Sequence, residues 1–389
     1  VVAGEPLYDV FFSPNPVDAA KEKADELIAL RDTTYLGDPI PGYIERNEYS
    51  REVATTIEII VAVLKELHAF DIRKKTLEAR VRELSTIQQE IDTLLRLRRQ
   101  RPIAVILYGP PGIGKSFILS EMMKLMSEAR GVDHHDYMVF ARDTTSDYWE
   151  GYDPHYVDYV HYAELGNLKP QYDTQAAKIL SELQKLIDIN PMCANMAFDG
   201  KGKTYLNPVG VFIDTNNKNI NIPEMVTTPA AFYRRFLYVS ASVLEEFKLE
   251  NTHKIDPQKS LNCADEDLLN RYNFRVHTRG EAGTDADLFS TNNADTFRTE
   301  LKEIFSKALS LEREVDEAFR PAAPVTTESL SLDVFSQRIL EYYTDLATTA
   351  ASVAGTYIFN SFANYVESVD LRTWSLFLTL LLVLNFGIV

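Results

Sequence analysis

The sequence predicts an α/β protein with a parallel sheet at its centre and helical segments before and after it. Three observations carry this expectation. First, the apolar, β-branched run Ile103-Ala104-Val105-Ile106-Leu107-Tyr108 leads through a glycine-rich turn into Phe117–Met126, which has neither Gly nor Pro. That is strand, loop, helix. Second, further strand-like runs follow with a helical run among them. This alternation sets parallel strands side by side with crossover helices on the faces. Third, Arg51–Gln100 contains no Pro and no Gly, and its apolar residues recur at steps of three and four, a helical period.

The turn after the first strand is Gly109-Pro110-Pro111-Gly112-Ile113-Gly114-Lys115-Ser116, a match to G-x-x-x-x-G-K-[ST] in the strand-to-helix setting the motif requires. Residues without Cβ let the backbone take positive φ and wrap a phosphate chain closely. The helix starting at Lys115 points its N-terminus, with its free N–H groups, at that chain. Lys115 is placed to reach the β and γ phosphates of a nucleotide, and Ser116 to hold Mg²⁺.

The 389 residues allow two or three domains. A hydrophobic fraction of 45% and a charged fraction of 25% exclude a globally disordered chain. The net charge of −17 argues against a surface coated for duplex binding and leaves room for a local basic channel. Two cysteines, Cys193 and Cys263, make no disulfide framework and fit a reducing compartment. His134, His135 and His155 lack ligand spacing and read as core or surface residues.

In chain order, residues 1–50 form a proline-rich, irregular leader with one short helix near Asp18–Arg31. Its Val10-Phe11-Phe12 reads as a small packing cluster, or as a membrane or partner contact. The leader has no secretory signal and no initiator Met, which suggests a processed or trimmed product. Residues 51–100 are a helical N-terminal segment, read either as a hairpin packed on the next domain or as an assembly element between subunits. Its basic end, Arg96–Arg101, reads as a dipole-complementing terminus or an anion-facing collar. Residues 101–250 are the α/β core, with strands expected at Tyr137–Arg142, Val157–Tyr162 and Val209–Asp214, a helix at Thr174–Ile189 and a hairpin-like turn at Phe198–Tyr205. Residues 251–325 are expected to be a helical C-terminal subdomain or lid, with a short helix at Asn262–Arg271 and a longer one at Asp295–Phe319. Residues 326–389 are an apolar tail. The end, Trp374–Val389, carries no charge and falls short of the ~20 residues that span a bilayer. A truncated span, an interfacial anchor and a helix buried in an oligomer all remain open, with membrane association the expectation.

Four segments in order resemble the superfamily 3 helicases, the AAA+ ATPase type that picorna-like viruses encode as their 2C-like protein. The phosphate loop is the first. Trp149-Glu150-Gly151-Tyr152 resembles the segment ahead of the family's second motif. Lys201-Gly202 with Val211–Asn216 resembles the third, and Pro229–Phe236 resembles the Ala-x-x-Arg-Arg-Phe segment. The resemblance covers about residues 100–245. It departs from the family at Ala163-Glu164, where the second motif has two acids. Asp158, five residues upstream, lies too far along a strand to replace the first.

The resemblance implies ATP, or another NTP, with Mg²⁺ held by Ser116 and Glu164. It implies Glu164 as the base toward water, Asn216 as the residue orienting that water, and Arg234 and Arg235 as charges supplied from a neighbouring subunit of a ring, expected to be a hexamer. It puts Lys201 and Lys203 toward the ring's channel as contacts for viral RNA; as a bare sequence feature they are equally a solvated turn. Other viral replication proteins and host intracellular membranes are the expected partners, and the host cytoplasm the expected location. Two functions follow as expectations: an ATP-driven helicase-like NTPase in membrane-associated RNA replication, or, because of Ala163, a nucleotide-binding membrane scaffold with weak hydrolysis.

Overall fold

An apolar stripe on a helix has to be covered, and much of the stripe of residues 51–100 is covered within the chain. Pro16–Ala29 (α1), Arg46–Glu66 (α2) and Ile72–Leu97 (α3) close on a core of their own, with Ala24, Leu27, Tyr49, Val53, Ile60, Leu77, Leu84 and Ile87 at its centre. The long Pro- and Gly-free stretch is therefore two helices with a break between them. The computed structural model describes residues 15–31, 46–68, 70–97, 99–168, 175–197, 201–261, 267–280 and 283–318. The Val10-Phe11-Phe12 cluster, residues 262–266, the linker after 318 and the apolar tail lie outside the described residues.

Beyond the helical layer come Ile103–Tyr108 (β1), Lys115–Arg130 (α4), Val139–Ala141 (β2), Tyr159–Tyr162 (β3), Ala176–Leu186 (α5), Met192–Cys193 (β4), Tyr205–Leu206 (β5) and Gly210–Thr215 (β6). Then follow Ile222–Met225 (α6), Ala230–Tyr233 (α7), Phe236–Val243 (β7), Pro257–Leu261 (α8), Tyr272–Arg279 (β8), Asp285–Thr291 (β9) and Ala294–Ala318 (α9). The main sheet runs β2-β3-β6-β1-β7-β8-β9. Its first five strands are parallel, and β8 and β9 are added antiparallel. The hairpin β4–β5 stands apart from it.

This is the mostly parallel, helix-flanked α/β core that the alternation of strands and helices predicts. One face of the sheet packs on α4 and α9 through Val105, Leu107, Phe212, Val239, Phe274 and Phe297. The other packs on α5 and on Trp149 and Tyr152 through Ile106, Val160, Val211, Ile213 and Tyr238. With both faces covered, the central strands have to be apolar along their buried length, as β1 is and as β6 is from Val211 to Ile213.

Residues 251–325 differ from the helical subdomain expected there. Among the described residues only Ala294–Ala318 forms a long helix; β8 and β9 extend the sheet, and Leu268–Arg271 is a single 3-10 turn. β8 alternates buried Tyr272, Phe274 and Val276 with Asn273, Arg275 and His277, a period of two in the sequence, and β9 is an edge strand with most side chains in solvent. An edge strand buries too little to show an apolar period in its sequence.

The helical layer is joined to the sheet by polar contacts. Ser50 Oγ lies 2.6 Å from His155 Nδ1, and Arg51 pairs with Asp158 at 2.6 Å. In the basic run after α3, Arg99 is buried and donates to the carbonyls of Lys185, Leu186 and Asp188 at 2.6, 2.7 and 2.8 Å. It thereby closes the C-terminal end of α5, whose last carbonyls have no partner within the helix. Burial lowers its guanidinium to about 10. Arg99 thus serves neither as its own helix's dipole complement nor as a collar open to an anion.

Candidate nucleotide site

All five parallel strands end at the same edge of the sheet, and the glycine loop sits there, between β1 and α4. Gly109 is pressed against β7: a Cβ at this position would lie 2.4 Å from the carbonyl oxygen of Ala241. Gly114 is the N-cap of α4 with φ 83°, in the left-handed region, and no side chain caps the helix. The helix N-terminus is left to an outside acceptor, as an anion site requires.

Lys115 follows at once and is buried. Its Nζ donates to the carbonyls of Gly109 and Pro110 at 3.4 and 3.3 Å and to Asn216 Oδ1 at 2.6 Å. Desolvation lowers the ammonium below the ordinary lysine value, while the carboxylates of Asp214 and Glu164 oppose the shift. Ser116 is exposed on the first turn of α4.

The segments that leave β3 and β6 complete the edge. Ala163 and Glu164 are exposed in the turn after β3, and Glu164 has φ 51°, unusual for a residue with a side chain. The two segments are stitched together. Leu165 N donates to Asp214 O at 3.2 Å, Thr215 Oγ1 to Leu165 O at 2.6 Å, and Asn216 N to Asn167 Oδ1 at 2.9 Å. Asn221 Nδ2 donates to Leu168 O at 2.6 Å and Asn217 Nδ2 to Gly166 O at 3.2 Å. They frame an open hollow of 260 Å³ lined by Gly166, Asn167, Leu168, Asn216, Asn217 and Asn221. The loop, Lys115, Asn216 and Glu164 therefore meet at one edge, as the sequence places them.

One pair there was not singled out from sequence. His161 on β3 lies with Nε2 2.7 Å from Asp214 Oδ1 on β6, and Asp214 is buried. The signal that could have found it is the pairing of β3 with β6, which no motif read along the chain contains.

Other residues fall elsewhere. Arg234 and Arg235 precede β7, whose Phe236 pairs with Ala104 at the start of β1. They stand at the opposite edge of the sheet, about 20 Å from the loop at 3.3 Å per strand residue. Arg234 is exposed, and Arg235 pairs with Asp188 at 3.3 Å. Lys201 and Lys203 are exposed in the connection between β4 and β5. Trp149 and Tyr152 are core residues. Trp149 stacks on Phe140, lies under the Arg142 guanidinium and donates from Nε1 to Glu182 Oε2 at 3.2 Å. Asp158 is buried at the start of β3 and paired with Arg51 and Arg130, far from the loop.

Among the described residues, no group of three or more His, Cys, Asp or Glu could hold a metal ion. That fits Mg²⁺ carried by a nucleotide, which is held by phosphates, water and one or two protein oxygens and not by a protein cage. An uncapped helix N-terminus, a buried ammonium facing loop carbonyls and an exposed Ser116 fit such a ligand.

The family model for RNA helicases matches residues 105–217. The chain is similar to the genome polyprotein of Human rhinovirus C, 24% identical over 238 residues, covering 61% of this chain and 10% of the polyprotein. It is similar to the genome polyprotein of vesicular exanthema of swine virus, 26% identical over 174 residues, 42% of this chain and 8% of the polyprotein. With that of Human parechovirus 2 it shares 27% over 158 residues, 40% of this chain and 7% of the polyprotein. The chain spans a tenth or less of the length of these relatives.

Proposed function

From a chain that belongs, through residues 105–217, to the RNA helicases of the 2C-like superfamily 3 kind, we propose an NTPase that works in a ring and is released from a viral polyprotein. The observation that carries this reading is Lys115, held between the loop carbonyls and Asn216. It joins the phosphate loop on β1 to the polar end of β6 in one site, where a γ-phosphate reached by Lys115 would lie beside Asn216.

In this reading the loop N–H groups and the α4 N-terminus bind the phosphates. Ser116 and Glu164 are the residues to hold Mg²⁺, which when bound neutralises charge on the β and γ phosphates. Lys115 leaves the loop carbonyls for the phosphates, Asn216 orients a water, and Glu164 takes a proton from it. Arg234 and Arg235 stand too far from their own loop to act there, which supports their donation to a neighbouring subunit. Exposed Lys201 and Lys203 are the residues for RNA phosphates. Action at host intracellular membranes, with viral RNA and other replication proteins, belongs to the same proposal. Among the described residues no helix is long and apolar enough to cross a membrane; the apolar tail and Val10-Phe11-Phe12 are the segments proposed for a membrane contact.

Ala163 favours a second reading, a nucleotide-binding scaffold with weak hydrolysis. Steady-state ATP hydrolysis with Mg²⁺, measured against protein concentration with Lys115→Ala as blank, separates the two. Turnover that exceeds the blank and rises more than linearly with concentration is the result expected of a ring. Turnover equal to the blank with nucleotide still bound selects the scaffold, and no nucleotide binding refutes both.

A further inference from the structure

We propose that Asp214, on the strand between β1 and β3, supplies the acid that Ala163 lacks, and that His161 is the positioning residue for its carboxylate. The inference rests on the NTPase reading and adds to it a role for Asp214, which lies within Val211–Asn216 but to which the resemblance assigns none.

Tyr162 pairs with Ile213, so the next position of the β3 segment, Ala163, lies beside Asp214. The bond from Leu165 N to Asp214 O keeps the two segments together past the end of the strand. Side chains alternate across a sheet. Tyr159 and Phe212 pack on the α4 face, so His161 and Asp214, at even steps from them within β3 and β6, belong to that same face, and Ala163 follows in the turn directly after β3. This is the face from which α4 carries Lys115 and Ser116. A carboxylate at Asp214 is one strand, about 4.8 Å, nearer to β1 than one at Ala163 would be. The acid is therefore displaced sideways toward the loop and remains at the same height in the sheet.

The surroundings of Asp214 fit a held acid. The side chain is buried, on a strand that is apolar up to it, and a buried carboxylate without a role is costly. His161 Nε2, 2.7 Å away, satisfies one oxygen. A second, fixed hydrogen bond of this kind is how proteins orient a carboxylate toward a cation.

The test reads metal dependence apart from turnover. A fluorescent, non-hydrolysable ATP analogue is bound to the full chain in EDTA and across a Mg²⁺ titration. In the parent chain Mg²⁺ tightens binding. Asp214→Asn is expected to weaken the apparent Mg²⁺ affinity about 10–100-fold, the range for lost carboxylate support at metal sites, with EDTA binding within about twofold of the parent. Adding Ala163→Asp to that variant is expected to restore Mg²⁺ dependence by returning an acid to the neighbouring strand. Asp214→Asn with the parent's Mg²⁺ dependence overturns the proposal. So does a variant that binds no nucleotide even in EDTA, or a double variant that regains nothing, since Asp214 would then act through the fold alone. A parent chain that binds no analogue in either condition overturns the NTPase reading and this inference with it.

Discussion

Asp158 is the residue to perturb to learn how firmly the helical layer is fixed to the sheet. It is 1% exposed, at the start of β3. Arg51 of α2 and Arg130 at the end of α4 donate to the same Oδ2, at 2.6 and 3.0 Å, and Asn47 Nδ2 lies 3.4 Å from Oδ1. Replacing Asp158 by Asn keeps the shape and removes the charge, leaving two inward-facing guanidinium groups without their counter-ion. Breaking a buried pair from one side costs about 3–5 kcal/mol. At roughly 2 °C per kcal/mol, the low end for domains of this size, Tm falls by about 6–10 °C. Urea unfolding followed by far-UV circular dichroism reads the loss. Adding Arg51→Met removes one of the stranded charges, so the double variant should lose less than the two single losses added, with a coupling of about 1–3 kcal/mol. Burial alone would raise the Asp158 carboxyl, but the Arg130 and Arg51 guanidiniums outweigh it and hold the group below the usual carboxylate value. Its folded pKa is thus the lower one. Its stabilisation is fully present above the unfolded value of about 3.9 and is lost as pH falls through the folded pKa. Nucleotide affinity should not change, because Asp158 lies about 16 Å along the strand from Ala163. A loss below about 1 kcal/mol with additive effects, as for an exposed pair, would refute the reasoning.

Two further substitutions probe the site. Gly109→Ala forces a Cβ against the Ala241 carbonyl, backbone that can yield only by moving β7. Overpacking of about 1–3 kcal/mol and a loss of nucleotide affinity of about tenfold or more are expected, by urea unfolding and by equilibrium binding; parental affinity would mean that the loop does not need this close approach. Arg234→Ala and Arg235→Ala should cut ATP turnover about 10³-fold or more with binding nearly intact. Mixing either with Glu164→Gln subunits should restore part of the turnover, and an absence of rescue would count against an arginine supplied by a neighbour.

The parts of this molecule legible in its sequence are those in which the signal runs along one strand or helix. The apolar run of β1 and the glycines after it announce a strand, a turn and a helix because each is local. The stripe of α2 and α3 is equally plain, although not the break between them. Edge strands are faint for the opposite reason. β9 turns Asp287 and Leu288 to solvent alike, so no period of two survives in it. Motif reading also assigns contact by position in a list. It groups Trp149 and Tyr152 with the catalytic segments, yet these side chains fill the core beneath β3 and act on the site only by supporting that strand.

The sharpest divergence between chain and space is at Ala163. Read along the chain after β3, the first acid of the pair is missing and Glu164 remains, and weak hydrolysis is the expectation that follows. The site, however, is assembled across strands, from β1, β6 and β3 in that order from the loop outward. An acid deleted from the third can be supplied by the second, provided the residue stands at the same height and faces the same helix. Asp214 meets both conditions, and His161, the β3 residue two before Ala163, turns its Nε2 to it. The strand that lost the carboxylate thus contributes the hydrogen bond that orients its replacement. Ala163→Asp in the parent chain should then bring little gain in turnover, because a second carboxylate beside Asp214 adds like-charge repulsion to a site that already has its acid.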